Sequence, residues 1–545
     1  MDKKIYYYTA IRQMPRLLGQ LDRNKNSRAY GCFDRNYWHY KITDFPSARH
    51  QEAVLTLALL YKLNRKDNPY FKNSNILKWI NASLKFWCNI QNRDGSFNEW
   101  YPNERSFAAT GFSSYAVSEC LIILDSGIEE KSHVIKSLRK SGDWMLTRNE
   151  WNATNQTSGI IASLFNIYIL TKDKKYLRNC QDKLGNLIGR QSSEGWWNEY
   201  NGADIGFLSL TIDYLSKLFK KFPNKKLKGS ISRAIDFLSY FVHPNMTFGG
   251  EYGSRNTEYL IPHGIELNAG ANKNAAAIAS AVRNSLKKCV TVAPYSVDDR
   301  YLCYITYVWL QSYLDSRNEL EPSKYKFCNS YRKNFPKAKV LIISNKNFYA
   351  IINYSKGGAF SLCIKNGSSS IQDSGIMAVN QKDDKLTSSW IAHNKIGINQ
   401  NSIVMQGKLW KIKNEPMTAF RSIGLRLFAK TFGSSQKLSS LMKNSLRKRL
   451  ITSSAKSDIN FTRQFIFEDK SVKIIDSLAS KGKIKHVFVG EKYSSIFIPS
   501  SRYFQLQELN NKPLEFVNIN KKNFSIERVF TYKNKLSFKA DASVD

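Results

Sequence analysis

Acidic side chains are scarce in this sequence: 44 Asp and Glu stand against 82 Lys and Arg, a formal net charge of +38 over 545 residues. Such a chain attracts polyanions, whether nucleic acid, anionic membrane or acidic polysaccharide. Histidine is scarcer, at seven, and the eight cysteines run from Cys32 to Cys363 without one CxxC pair. No metal-ligand cluster results, so neither a metal nor a cofactor is expected, and the thiols read as buried groups of a reducing compartment. Long apolar runs are missing too. Stretches such as residues 53–61 fall well short of the ~18 residues that span a bilayer. The opening Met1-Asp2-Lys3-Lys4-Ile5-Tyr6-Tyr7-Tyr8 has no apolar core of a secretory signal. The expected location is the cytoplasm or the inner membrane surface, with the periplasm left open.

What the chain does have is apolar and aromatic content, 42% and 13%, enough for sizeable cores and against global disorder. Its length exceeds one ordinary core and predicts two domains. The first three fifths carry a repeat of roughly 50 residues. Asn98-Glu99-Trp100 recurs as Asn149-Glu150-Trp151, as Asn198-Glu199-Tyr200, and as Gly250-Glu251-Tyr252. Each copy lies between stretches of helical apolar spacing, for example Ile76, Ile80, Leu84, Trp87 and Cys88. The unit is helix, polar aromatic loop, helix. About six units predict a closed (α/α)6-type toroid over residues 1–325, its loops gathered at one end around a cleft. Aromatic faces with carboxylate, amide and guanidinium groups suit a sugar.

Beyond about Phe335, short apolar runs such as Val340-Leu341-Ile342-Ile343 alternate with Asn, Lys and Gly. They predict an antiparallel β-sandwich over residues 326–545, making an α+β multidomain protein. Residues 405–457 interrupt it with twelve Lys or Arg and one acid, Glu415. Phe420, Ile423, Leu427 and Phe428 share a helical face, as do Leu438, Leu441 and Met442. The expected reading of about 415–455 is a basic amphipathic insertion that meets an anionic membrane surface. Docking of its apolar face on the sandwich is the alternative.

Three stretches resemble one family: Tyr7-Tyr8-Thr9-Ala10-Ile11-Arg12-Gln13-Met14-Pro15, Asn103-Glu104-Arg105-Ser106-Phe107-Ala108-Ala109-Thr110, and Gly357-Gly358-Ala359-Phe360 through Asp373-Ser374-Gly375. With the domain order, they resemble the heparinase II/III-like polysaccharide lyases encoded beside bacterial surface-polysaccharide genes. The resemblance implies β-elimination at a uronic acid. One group neutralises the carboxylate so that the C5 proton can leave, and a base and acid, commonly Tyr with His, stand in reach. The family's spacing of an Asn or His and a Tyr one repeat later falls on Asn201 and Tyr252. Tyr252 is thus the expected base and acid, Asn201 and Arg255 the carboxylate partners, and His263 a partner base. Substrate binding is expected of Asn103, Glu104, Arg105, Trp197, Glu199, Tyr200, Asp204, Asn256, Glu258 and Tyr259. The family's sandwich histidine has no counterpart in residues 353–360, and His393 on a nearby loop is the expected substitute.

Two alternatives stay open. A glycoside hydrolase would use paired carboxylates among Glu99, Glu199, Asp204 and Glu251. A non-catalytic, membrane-associated polysaccharide-binding factor would need no base. The expected partner is an acidic polysaccharide. No recognition motif points to nucleic acid.

Overall fold

The computed structural model describes residues 2–541 apart from 366–369, 413–415, 450–452, 491, 493–502, 506–507, 510–512 and 534–535. Helices come first: α1 (Lys4–Ile11), α2 (Met14–Gln20), α3 (Arg35–Trp38), α4 (Ala53–Lys62), α5 (Ser74–Asn89), α6 (Phe107–Ile123), α7 (Lys131–Leu146), α8 (Thr154–Thr171), α9 (Lys174–Gly189), α10 (Ile205–Lys221), α11 (Lys225–Leu238), α12 (His263–Asn268), α13 (Lys273–Lys288) and α14 (Asp299–Asp315). Packing runs in a cycle from α4 through α6, α8, α10, α12 and α14 back to α4. Around it, α5, α9, α11, α13 and α1 each back one inner helix, and α7 backs both α6 and α8.

Composition decides which helix goes where. In α6, small and apolar residues leave Glu119 as the sole charge, and burial is nearly all round. In α7, Lys and Arg alternate with Val134, Leu138 and Trp144, so one stripe is buried. The repeat is visible in hydrogen bonds as well. Gln91 Nε2 donates to the Gly95 carbonyl at 3.1 Å, and Gln191 Nε2 to the Gly195 carbonyl at 2.9 Å. Both glycines have positive φ, +91° and +107°, and a Cβ on either would lie 2.2 Å from a neighbouring carbonyl oxygen.

The inner helices α6, α8 and α10 start where loops of the repeat end, so these loops share one end of the ring, its mouth, whereas α12 starts lower on the wall, past the loop of residues 249–258. The strands follow: β1 (Tyr331–Phe335), β2 (Val340–Ser344), β3 (Phe348–Asn353), β4 (Ala359–Ile364), β5 (Ser370–Asp373), β6 (Met377–Asn380), β7 (Lys385–Thr387), β8 (Lys395–Ile398), β9 (Ser402–Lys411), β10 (Lys456–Phe467), β11 (Ser471–Val489), β12 (Leu514–Phe516), β13 (Lys521–Thr531) and β14 (Leu536–Asp541). β1 to β5 form one antiparallel sheet in chain order. The other sheet differs from a plain sandwich layer. Its strands run β10-β9-β7-β6-β11, and β10 pairs β11, which closes the five on themselves. β11 makes closure feasible: 19 residues long, it shifts register between Ala479 and Ile484 and so serves two sets of neighbours.

The two sheets share a core of residues such as Phe348, Phe360, Met405, Phe465 and Ile474. Within it, Arg463 Nε meets Asp476 Oδ1 at 2.6 Å and Nη1 meets Asp373 Oδ1 at 3.0 Å, while Arg528 bonds both carboxylates at 2.8 and 2.7 Å. The first sheet's other face belongs to the ring's core, with Phe335 edge-on to Phe237 at 4.9 Å. Between β9 and β10 sit α15 (Ala419–Lys430) and α16 (Gln436–Arg447).

Candidate functional site

The mouth loops are built by carboxylates acting as clamps. Asp204 caps α10 by accepting from Phe207 N, and its other oxygen accepts from Arg255 N at 2.9 Å. Thr257 Oγ1 donates to the capping oxygen, Oδ1. These bonds fold residues 249–258 onto the start of α10. Glu199 takes Asn155 N at 2.7 Å and Asn155 Nδ2 at 2.8 Å, fixing the start of α8. Glu104 takes the backbone N–H groups of Glu99 and Trp100 at 2.9 and 2.7 Å. Burial pushes the Glu199 carboxyl up.

On the clamped loop, Tyr252 is buried and its ring stacks on Phe241 at 5.7 Å. Its hydroxyl lies 2.9 Å from His243 Nε2. The direction of that bond follows from its neighbours. Thr247 Oγ1 donates to Asn245 Oδ1 at 2.7 Å, so it accepts from His243 Nδ1 at 2.8 Å, and Nε2 is left to accept from Tyr252. Burial lowers the imidazole to about 3, keeping it neutral, and pushes the Tyr252 phenol well up.

Three residues on, Arg255 is stacked 4.8 Å above the Tyr200 ring and donates from Nη2 to the Tyr200 carbonyl at 2.6 Å. Nε and Nη1 meet no hydrogen-bond acceptor among the described residues, and burial draws the group down to about 10. Asn201 is exposed beside it, at φ +77°. Asn256 accepts from Lys356, which also donates to the Glu251 and Gly253 carbonyls at 2.8 Å each. Lys356 thus reaches the ring from the stretch that lacks the expected histidine, and burial lowers it to about 8. Glu258, raised to about 7 by burial, pairs with Lys492 at 2.8 Å.

Deeper in the ring, Arg49 pairs with Glu52 and lies 4.1 Å above Tyr304 and 4.5 Å above Phe112. Arg300 bonds Glu99 at 3.1 Å and covers Trp100 at 3.6 Å. Burial raises Glu52 to about 7, against the pull of Arg49. Arg49, Glu52, Phe112 and Tyr304 with Tyr259, Tyr301 and Tyr503 line a cavity of about 50 Å3, small beside the roughly 300–1,000 Å3 of ligand sites.

The remaining candidates are dispersed. His263 is held between Asp213 Oδ1 at 3.0 Å and Asp315 Oδ2 at 2.9 Å. Asp213 lies more than two turns into α10 and Asp315 ends the 17-residue α14, so the structure sets His263 down the ring wall, with both its ring nitrogens engaged. Trp197 is a core residue, donating to the Leu187 carbonyl at 2.9 Å. His393 is exposed on a loop whose Ile391 reaches within 3.5 Å of where a Gly202 Cβ would stand, next to Asn201. Asn103, Glu104 and Arg105 lie under the insertion. Asn103 Nδ2 donates to the Ala429 carbonyl at 2.9 Å, Arg105 Nη1 to the Gly433 carbonyl at 2.7 Å, and Lys443 sits 3.7 Å from Glu104. His243, Arg49, Glu52, Arg300 and Lys356 were not among the expected residues.

No sequence-family profile and no curated protein matches the chain. Solved structures do. The chondroitin AC lyase of Streptomyces coelicolor A3, in complex with chondroitin sulphate, superposes with a TM-score of 0.56 at 9% identity, over 89% of this chain and 67% of that one. Paenibacillus xanthan lyase gives 0.54 at 10% identity, over 96% and 56%. Heparinase III gives 0.44 at 8% identity, over 89% and 76%. This chain spans about two thirds of the first enzyme and just over half of the second, and it shares the fold of these two lyases.

Proposed function

We propose that the protein processes an acidic, uronate-containing polysaccharide by β-elimination at the ring mouth, on a toroid followed by a sandwich-derived β-domain. The observation that supports this most is the Tyr252–His243 pair standing three residues from Arg255, whose guanidinium has two N–H positions to offer a carboxylate. Arg255, with Asn201, neutralises the uronate carboxylate, which acidifies the C5 proton. Tyr252 Oη takes that proton while its own passes to the neutral His243 Nε2. The C4–O bond breaks, a C4–C5 double bond forms, and the proton returns through Tyr252 to the leaving oxygen. Tyr200, Asn256, Tyr259 and Glu258 border the path, and the exposed His393 reaches the outer part of the substrate. An anionic membrane surface is the second proposed partner, met by the insertion.

Incubation with uronate polymers tests the reading by the ultraviolet absorbance of the new conjugated double bond. Chain shortening without absorbance would sink elimination. A specific observation favours hydrolysis as the second reading: burial raises Glu52 to about 7 and Glu99 is close enough to add to that rise, so two carboxyl groups, as such hydrolysis uses, stand near each other.

A further inference from the structure

The insertion has two faces with different chemistry. The inner one is tied across the mouth. Arg426 and Lys430 hold Asp44 at 3.1 and 3.2 Å, Ser439 donates to the Asn103 carbonyl at 2.8 Å, and Arg447 holds Glu150 at 2.6 Å. The first sheet meets the ring elsewhere, where Asn353 Nδ2 donates to the Tyr252 carbonyl at 2.8 Å and Glu194 accepts from Lys337 N at 2.8 Å. The insertion therefore closes a side of the mouth that the sheet leaves open.

The outer face is apolar and exposed. Of the eighteen large apolar side chains exposed among the described residues, seven fall between Met417 and Leu441. On α15, Phe420 is 88% exposed, Ile423 56% and Leu427 61%, and their spacing puts them within one narrow face. Leu438 and Leu441 repeat this on α16. A monomer in water gains nothing from such a patch. Lys437, Lys448 and Arg449 are exposed beside it, and no acidic residue occurs from 416 to 449. Apolar side chains flanked only by cations complement an anionic bilayer: the chains enter the headgroup boundary and the cations meet lipid phosphates.

We propose that the outer face of α15 and α16 docks on an anionic bilayer, and that docking draws the insertion off the loops around Asn103 and Glu150 and opens the mouth. The opening half rests on the reading of the mouth as the substrate site. The bilayer and the ring compete for Arg426, Lys430, Lys443 and Arg447, because a cation bound to lipid phosphate leaves its carboxylate on the ring. Membrane contact and access are thus two positions of one element.

The test uses the full chain with vesicles of phosphatidylglycerol in phosphatidylcholine, and with phosphatidylcholine alone. Flotation should show binding to the anionic vesicles that weakens with salt. The triple variant Phe420→Ser, Ile423→Ser, Leu427→Ser should lower it about tenfold or more, with an unchanged melting temperature because the three side chains are exposed. Hydrogen exchange should slow in 419–430 and quicken in 99–105 on the vesicles. Equal binding to neutral vesicles, binding that survives the triple variant, or a concentration-dependent dimer abolished by it overturns the docking. Unchanged exchange in 99–105 overturns the opening. No readout involves a saccharide, so these results stand apart from those of the elimination assay.

Discussion

The Tyr252 hydroxyl donates to His243 Nε2 across 2.9 Å, and the ordered chain His243, Thr247, Asn245 behind it fixes the imidazole tautomer. Tyr252→Phe removes only the oxygen. Elimination should fall by about 10²–10⁴, seen in the initial rate of absorbance increase. The fold should persist at a cost of about 1–3 kcal/mol, because the imidazole nitrogen is left buried without its donor. A variant with wild-type rate would remove Tyr252 from the chemistry.

The same pair sets a pH dependence of stability. His243 titrates at about 3 when folded and at about 6.5 when unfolded. Between these values the unfolded chain binds a proton that the folded chain refuses, so stability is present above pH 6.5 and is lost as pH falls toward 3. At pH 5 the loss from this group is about 2 kcal/mol. Glu52 and Glu258, raised to about 7, act oppositely, losing their contribution as pH rises from about 4.5 to 7. Denaturant unfolding of wild type and His243→Gln at pH 5 and 7 isolates the histidine. The variant should lose less on acidification, and identical losses would refute a neutral His243.

Tyr252 was legible as a candidate because it stands one repeat after Asn201, the spacing that the resemblance implies, and closes the Gly-Glu-Tyr copy of the repeat. His243 was not, since it has no counterpart in other copies and its relation to Tyr252 exists only once residues 243–252 turn back. Lys356 reaches Asn256 from 100 residues away, a distance no local pattern encodes. Strand periodicity likewise foretold strands in 331–541 but not that β10 would pair β11, because closure depends on the register shift after Ala479. His263 looked like a site residue through proximity to the dense polar stretch 251–259. In the fold, the segment after it descends the ring wall, and Asp213 and Asp315 claim the imidazole.

Arg255 offers a separate test of the carboxylate role. Replacement by Met removes the charge and both N–H positions that meet no acceptor among the described residues, and should raise KM for an acidic polymer about 10–100-fold. Arg255→Lys keeps the charge but loses the planar fork stacked on Tyr200, so it should recover little. A loss confined to kcat, with KM unchanged, would mean that Arg255 contacts no ground-state carboxylate.

The buried quartet Arg463, Arg528, Asp373 and Asp476 makes a prediction about the β-domain alone. Each carboxylate bonds both guanidinium groups, and all four side chains are at most 1% exposed. Arg463→Met leaves two carboxylates facing one cation in an apolar core and should destabilise by about 3–5 kcal/mol. Adding Asp476→Leu restores charge balance as one cation facing one carboxylate, and should recover a large part of that loss. If the charges themselves held the sheets together, the double variant would instead be the less stable of the two. Chemical denaturation of the single and double variants, followed by tryptophan fluorescence, decides between these outcomes.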